Sequence, residues 1–307
     1  MVTLRKLSPL LVFLLIGACA TPSPFPRPGC CSPSPEPAAI SETLTGDALF
    51  AKTYAAHGGE NLSALHDLNV SLDGRWKFLI TRIQPLVTDH RYRVRSQERI
   101  EPSRGLYAAF YEGPAGTKRV FRNRERVRVW YDDVETTDPD VLASTALTAD
   151  SFLLFSLGPL APAAQIAATG TQPTYSYLEE RRERGRSYHL IHRELQPGLG
   201  FSQHDELVLW IDAETFRTFR VEITLEGYRT TQGAHVDVTF EAFEQHSGVL
   251  LPVTFNERVR APVAIHAHRW WVTGIDVNRG WQPSDLDSRP WSPIAEKSAK
   301  QRDVEGA

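Results

Sequence analysis

The chain has 307 residues, with 34 lysines and arginines against 37 aspartates and glutamates and a formal net charge of -3. That mild acidity excludes the concentrated basic face that nucleic-acid binding requires. All three cysteines, Cys19, Cys30 and Cys31, lie near the start, so the sequence beyond them folds without disulfides and holds no C-x-x-C pair for a metal or redox centre.

Residues 1–18 read as an export signal: Arg5 and Lys6 form a basic start, "LSPLLVFLLIGA" is apolar, and Gly17 and Ala18 close it. The run is short for a spanning helix, which needs ~20 apolar residues. No comparable apolar run is expected after it. The following Ile16-Gly17-Ala18-Cys19 resembles the lipobox of bacterial lipoproteins, which implies acylation of Cys19 and a mature chain that begins there. Cleavage after Ala18-Cys19-Ala20 is the alternative. By the same resemblance, Ala20 after the cysteine implies the periplasmic face of the outer membrane.

Residues 19–40 then form a proline-rich tether, stiff and unpacked. Cys30 and Cys31 sit within it and offer three fates: a disulfide to a partner chain, a vicinal disulfide, or free thiols. Residues 41–281 are long enough for one domain with its own core. Residues 282–307 read as a polar tail, with Trp291 alone suited to docking.

In chain order, "TGDALFAKTYAAHGG" predicts a helix capped by Thr45 or Asp47 and stopped at Gly58-Gly59. "NVSLDGRWKFLI" predicts a strand whose apolar face carries Val70, Leu72, Trp76, Phe78 and Ile80. "RYRVRSQER", "GLYAAFYEG", "TKRVFRN" and "RVRVWYD" continue the alternation, with Arg91, Arg93 and Arg95 on the polar side. Asp138 and Pro139 open a second helix that reaches Gly158, with Phe152 and Phe155 on its apolar arc. Hairpins follow around "RRERGR", Asp212 to Thr215 and His246-Ser247-Gly248, and "VAIHAHRWWVTGIDV" closes the sheet.

These elements predict a mostly β (α+β) fold: one large curved antiparallel sheet of about 11 strands forming an open half-barrel, with an N-terminal helix and a central lid helix. The order of "AAHGGENLSALHDLNVSLDGRW", the central helix, "LWIDAETFRTFRVEI" and "FEAFEQHSGVLLPVTF" resembles the LolA/LolB-like lipoprotein-carrier superfamily over Leu49 to Val277. The resemblance implies a concave surface that receives acyl chains of a lipid or an acylated protein, without bond chemistry or a cofactor. The chain departs from the minimal soluble carrier in its length and tether, and no loop matches the membrane-inserting loop of the anchored receptor.

The candidate ligand-binding residues are Val70, Leu72, Trp76 and Phe78 on the first strand and Phe152 and Phe155 on the lid helix. Phe219, Val221, Ile223, Val238 and Phe240 come from later strands. A one-residue register slip would reverse such facing.

Enzyme signatures are missing: the sequence has no G-x-S-x-G elbow, no H-E-x-x-H and no glycine-rich phosphate loop. His266 and His268, two apart on a strand, are expected to share a face and, with a third ligand such as His189, His192, His235 or a carboxylate, define the rival reading of a metal-dependent enzyme. A wet edge-strand face is the plainer reading of the pair. A scaffolding lipoprotein with a filled core is the other rival.

Overall fold

The computed structural model describes residues 44–161 and 174–280. The export signal, Cys19, the tether with Cys30 and Cys31, and the C-terminal tail with Trp291 lie outside the described residues.

Helix α1 (Gly46–Ala56) starts where Thr45 Oγ1 accepts from the Ala48 amide at 3.1 Å. It stops at Gly58, whose φ of +68° suits a residue without a Cβ. Then come β1 (Leu68–Trp76), β2 (Arg95–Glu101), β3 (Leu106–Gly113), β4 (Gly116–Arg122), β5 (Val127–Tyr131) and β6 (Val134–Thr136). Between β1 and β2 lie two short helices, α2 (Phe78–Ile83) and α3 (Pro85–Thr88). The long helix α4 (Pro139–Leu157) opens with the Asp138 carboxylate accepting from the Asp140 and Val141 amides. The second half is β7 (Ser176–Glu183), β8 (Arg186–Leu195), β9 (Asp205–Asp212), β10 (Thr218–Thr224), β11 (His235–His246), β12 (Val249–Ala261) and β13 (Ile265–Val277).

All 13 strands form one sheet, ordered β6-β5-β4-β3-β2-β1-β13-β12-β11-β10-β9-β8-β7. Every neighbouring pair is antiparallel. The chain enters at the middle, winds out to β6, and returns from β7 inward until β13 pairs with β1. Since β6 and β7 do not pair, the sheet is an open half-barrel. The described residues form 13 strands rather than the about 11 expected; one of the additions is three-residue β6, too short to show alternation.

The core lies between one sheet face and α4. Val70, Leu209, Ile211, Val221, Val238 and Phe240 meet Leu147, Phe155 and Leu157 there. Contrary to the expectation that no comparable apolar run follows the signal, the segment 139–160 is long and apolar enough, by length and composition, to cross a membrane. Two-thirds of its window is buried inside this fold, as befits a central core helix.

Two strand readings are corrected. The first strand ends at Trp76, and Phe78 to Ile83 is helical. The period changes there: Ile80, Ile83 and Val87 recur at helical spacing, and Pro85 splits the run into α2 and α3. The second strand starts at Arg95, so Arg91 to Val94 belong to a connection and lose their assigned facing.

Candidate functional site

Alternating residues of β10 to β13 and the arc of α4 leave a space at one end of the half-barrel, and α2 and α3 roof it. The result is a largely apolar cavity of about 300 Å³. The roof contributes Ile80, Ile83 and Val87, and α4 contributes Leu147, Thr148, Ser151, Phe152 and Phe155. The sheet supplies Trp76, Ile223, Val236, Val259, Ile265 and Ala267. At the mouth stand Gln84, Thr230, Pro262 and Val263. The lid helices expose apolar side chains outward: Phe78 is 71% exposed, and Leu79, Ile83 and Leu86 are also exposed, as is Val263 opposite.

An aromatic ladder crosses three strands beneath α4. Phe255 stacks on Trp270 with centroids 4.8 Å apart, Trp270 on His268 at 4.8 Å, and His268 on Trp76 at 3.8 Å. Phe152 packs on Trp270 from the helix at 5.2 Å.

Two ionisable side chains interrupt this apolar lining. Arg93 is 5% exposed, donates from Nη1 to the Val87 carbonyl at 2.9 Å, and has no partner at Nε among the described residues. Its guanidinium lies over Phe152, Tyr111 and Trp76 at 4.8, 5.2 and 5.4 Å from the ring centres. Glu257 projects from β12 into the cavity wall. Burial pushes its carboxyl up to about 7, against the pull of Arg93. Behind Arg93, Glu98 accepts from Ser96 Oγ at 2.9 Å and is likewise pushed up to about 7 by burial.

The lid is pinned at its far end. Asp89 terminates α3 in a left-handed conformation, φ +41°. Its carboxylate accepts from Lys118 Nζ at 2.8 Å and Tyr131 Oη at 2.7 Å, and Lys118 also donates to Thr145 Oγ1 of α4 at 3.2 Å. Burial lowers the Lys118 ammonium, and Asp89 opposes that shift.

Of the candidate residues, Trp76, Phe152, Phe155 and Ile223 line the cavity together. Val70, Val221, Val238 and Phe240 lie in the packed core. Leu72 borders a small neighbouring cleft with Phe152 and His268. Phe78 points outward because its segment is helical. The register of β9 and β10 shifts between Thr218 and Arg220, and Phe219 stacks on Tyr188 at 4.6 Å, on the side of Trp210 and away from the core.

His266 and His268 do not share a face. A bulge between Glu257 and Arg258 places His268 inside, against Trp76, and leaves His266 exposed, on a central rather than an edge strand. Burial lowers the His268 imidazole well below its ordinary range, so it is neutral. Among the described residues, no group of three His, Cys, Asp or Glu side chains is placed to hold a metal.

Arg93 and Glu257 were not among the candidates. A signal for Glu257 existed, because it keeps the phase of Val253, Phe255 and Val259 on β12. In the alternation of the sequence Arg93 falls on the wet side of a strand, but that strand starts only at Arg95.

No family model and no curated protein matches the sequence. Solved structures similar to the chain include a LolA superfamily protein from Nitrosomonas europaea, at 12% identity and TM-score 0.47, over 80% of this chain and 99% of that one. A putative outer membrane lipoprotein-sorting protein domain from Vibrio parahaemolyticus matches at 10% identity and TM-score 0.38, over 78% and 97%. Lipoprotein LppX of Mycobacterium tuberculosis matches at 11% identity and TM-score 0.24, over 59% and 90%.

Proposed function

We propose that this chain is a lipid-anchored protein of the bacterial envelope that takes up an acyl chain, from a lipid or an acylated protein, and holds it without bond chemistry. The cavity carries the reading: an apolar space of about 300 Å³ stays unfilled by the protein's own side chains, where a scaffold would pack it. Each CH₂ moved from water into such a lining contributes ~0.8 kcal/mol. Exposed Ile83 and Val263 line the opening, and exposed Phe78 and Leu79 on the same short helix as Ile83 extend an apolar outer surface suited to a membrane or partner. Acylation at Cys19 would hold the domain at the periplasmic face of the outer membrane, since more than one acyl chain anchors stably.

Native mass spectrometry of the purified protein tests the reading. Non-covalent lipid adducts are expected, lost on delipidation and regained with added lipid. A chain that carries no lipid and takes up none would leave only the filled-core scaffold.

A further inference from the structure

Besides neutral Ser, Thr and Gln side chains, the cavity's lining includes two ionisable ones, Arg93 and Glu257. Arg93 is a buried cation with Nε unpaired, and Glu257 is a carboxyl at the cavity wall with no hydrogen bond or ion pair among the described residues. Purely structural roles account poorly for this pair. Arg93 Nε is buried without a partner, which costs about 1–3 kcal/mol, and the half-buried Glu257 carboxyl faces the cavity.

A guest made only of hydrocarbon would leave both groups unsatisfied and would strip whatever water reaches them. A guest with a carboxylate at one end answers both. Its oxygens accept from the Arg93 guanidinium, and a protonated Glu257 donates to them, so guanidinium, guest carboxylate and neutral Glu257 sum to zero charge. Charge-assisted bonds of this kind are about twice as strong as neutral ones. An ester offers only a neutral acceptor, and an amine meets the Arg93 cation. The cavity lies at the low end of ligand-pocket sizes, which suits one chain rather than several.

We propose that Arg93 and Glu257 form the head-group end of the cavity, and that its ligand is a single-chain fatty acid held by its free carboxyl. This rests on the acyl-binding reading above and adds the identity of the head group. The other titratable groups around the pair are Asp89 at the end of the lid, Glu98 on β2, Tyr107 and Tyr111 on β3, Asp237 on β11 and His268 on β13. Tyr107 and Tyr111 are hydrogen-bonded to each other at 2.8 Å and pushed upward by burial, so both stay neutral. His268 is neutral as well. Glu98, also pushed up to about 7, is fully buried and bonded to Ser96 Oγ, whereas Glu257 lines the cavity, so Glu257 is the carboxyl that takes up the proton when a carboxylate guest arrives.

The test is a calorimetric titration of the delipidated full chain with dodecanoic acid, methyl dodecanoate and dodecylamine. The acid should bind about tenfold or more tightly than the ester or the amine. Its affinity should fall as the pH rises from about 6 to about 8.5, as Glu257 ionises. Glu257→Gln, which donates at every pH, should keep the acid preference and lose that dependence. Arg93→Met should abolish the preference while still binding the ester. If Arg93→Met does not fold, the wild-type ligand series and Glu257→Gln still decide. Equal binding of acid and ester, or one pH profile for wild type and Glu257→Gln, would overturn the head-group assignment and leave the acyl cavity standing. Failure of all three ligands to bind would remove both.

Discussion

Gln84 and Thr230, 146 residues apart, close the cavity mouth with reciprocal hydrogen bonds: Gln84 Nε2 donates to the Thr230 carbonyl at 2.6 Å, and Thr230 Oγ1 donates to Gln84 Oε1 at 2.7 Å. One belongs to the lid and the other to the β10–β11 connection, and both line the cavity. A guest cannot leave past this edge until the pair parts.

Neutral bonds of this kind contribute ~0.5–1.5 kcal/mol each. Gln84→Ala should therefore speed both uptake and release of a fluorescent acyl probe by roughly threefold to tenfold, with little change in equilibrium affinity. Stopped-flow fluorescence measures this. Unchanged rates would mean that chains enter by another route.

Thr148 faces the cavity from α4 and is partly buried. Thr148→Trp should occupy the space a chain would take and reduce probe binding by about tenfold or more, because overpacking resists a second occupant. Thermal stability should hold, since the indole fills a void rather than displacing core. Full probe binding alongside unchanged stability would place the ligand elsewhere.

The architecture was legible because hairpin-linked strands with one apolar face allow few arrangements, and the caps at Thr45, Asp138 and Gly58 are local chemistry. The site was less legible, for three physical reasons. Alternation ran on into Phe78 because a strand ending in Trp76 and a helix beginning two residues later are both apolar. Bulges reversed the facing of Phe219 and separated His266 from His268, and a bulge leaves no mark on composition. Arg93 is inside because aromatic rings and the Val87 carbonyl surround it, a set of contacts assembled from distant segments.

Arg122 on β4 shows the same assembly at the opposite side of α4. Its Nε and Nη2 donate to the two Asp150 oxygens at 2.9 and 2.8 Å, while the Gly200 amide donates to Asp150 and Arg122 donates to the Gly200 carbonyl. Asp150→Ala would leave a buried guanidinium without its counter-charge, at a cost of roughly 3 kcal/mol. Urea unfolding should show that loss, and Arg122→Met added to Asp150→Ala should recover part of it. A loss below about 1 kcal/mol would mean that water already shields the pair.

His57 should contribute to the acid limit of stability. It is fully buried, with Nδ1 3.0 Å from the Leu250 carbonyl and Nε2 3.0 Å from the Thr218 amide. The carbonyl can only accept and the amide can only donate, so the neutral ring must carry its proton on Nδ1. A second proton on Nε2 would face a donor. Burial, with Arg217 adding repulsion, lowers the imidazole to about 4. A histidine depressed in the folded state binds fewer protons there than in the unfolded chain. Its stabilisation is therefore complete above about pH 6.5 and is lost as the pH falls toward 4, a change of roughly 3 kcal/mol. Glu98 has the opposite sign: raised to about 7, it holds its proton in the fold, and stability declines as the pH climbs from about 4.5 through 7. His57→Gln can donate to Leu250 and accept from Thr218 without titrating. Urea midpoints measured from about pH 4 to 8 should show a flatter acid limb in this variant and an unchanged alkaline limb. Parallel acid limbs in wild type and variant would show that some other group sets the acid limit.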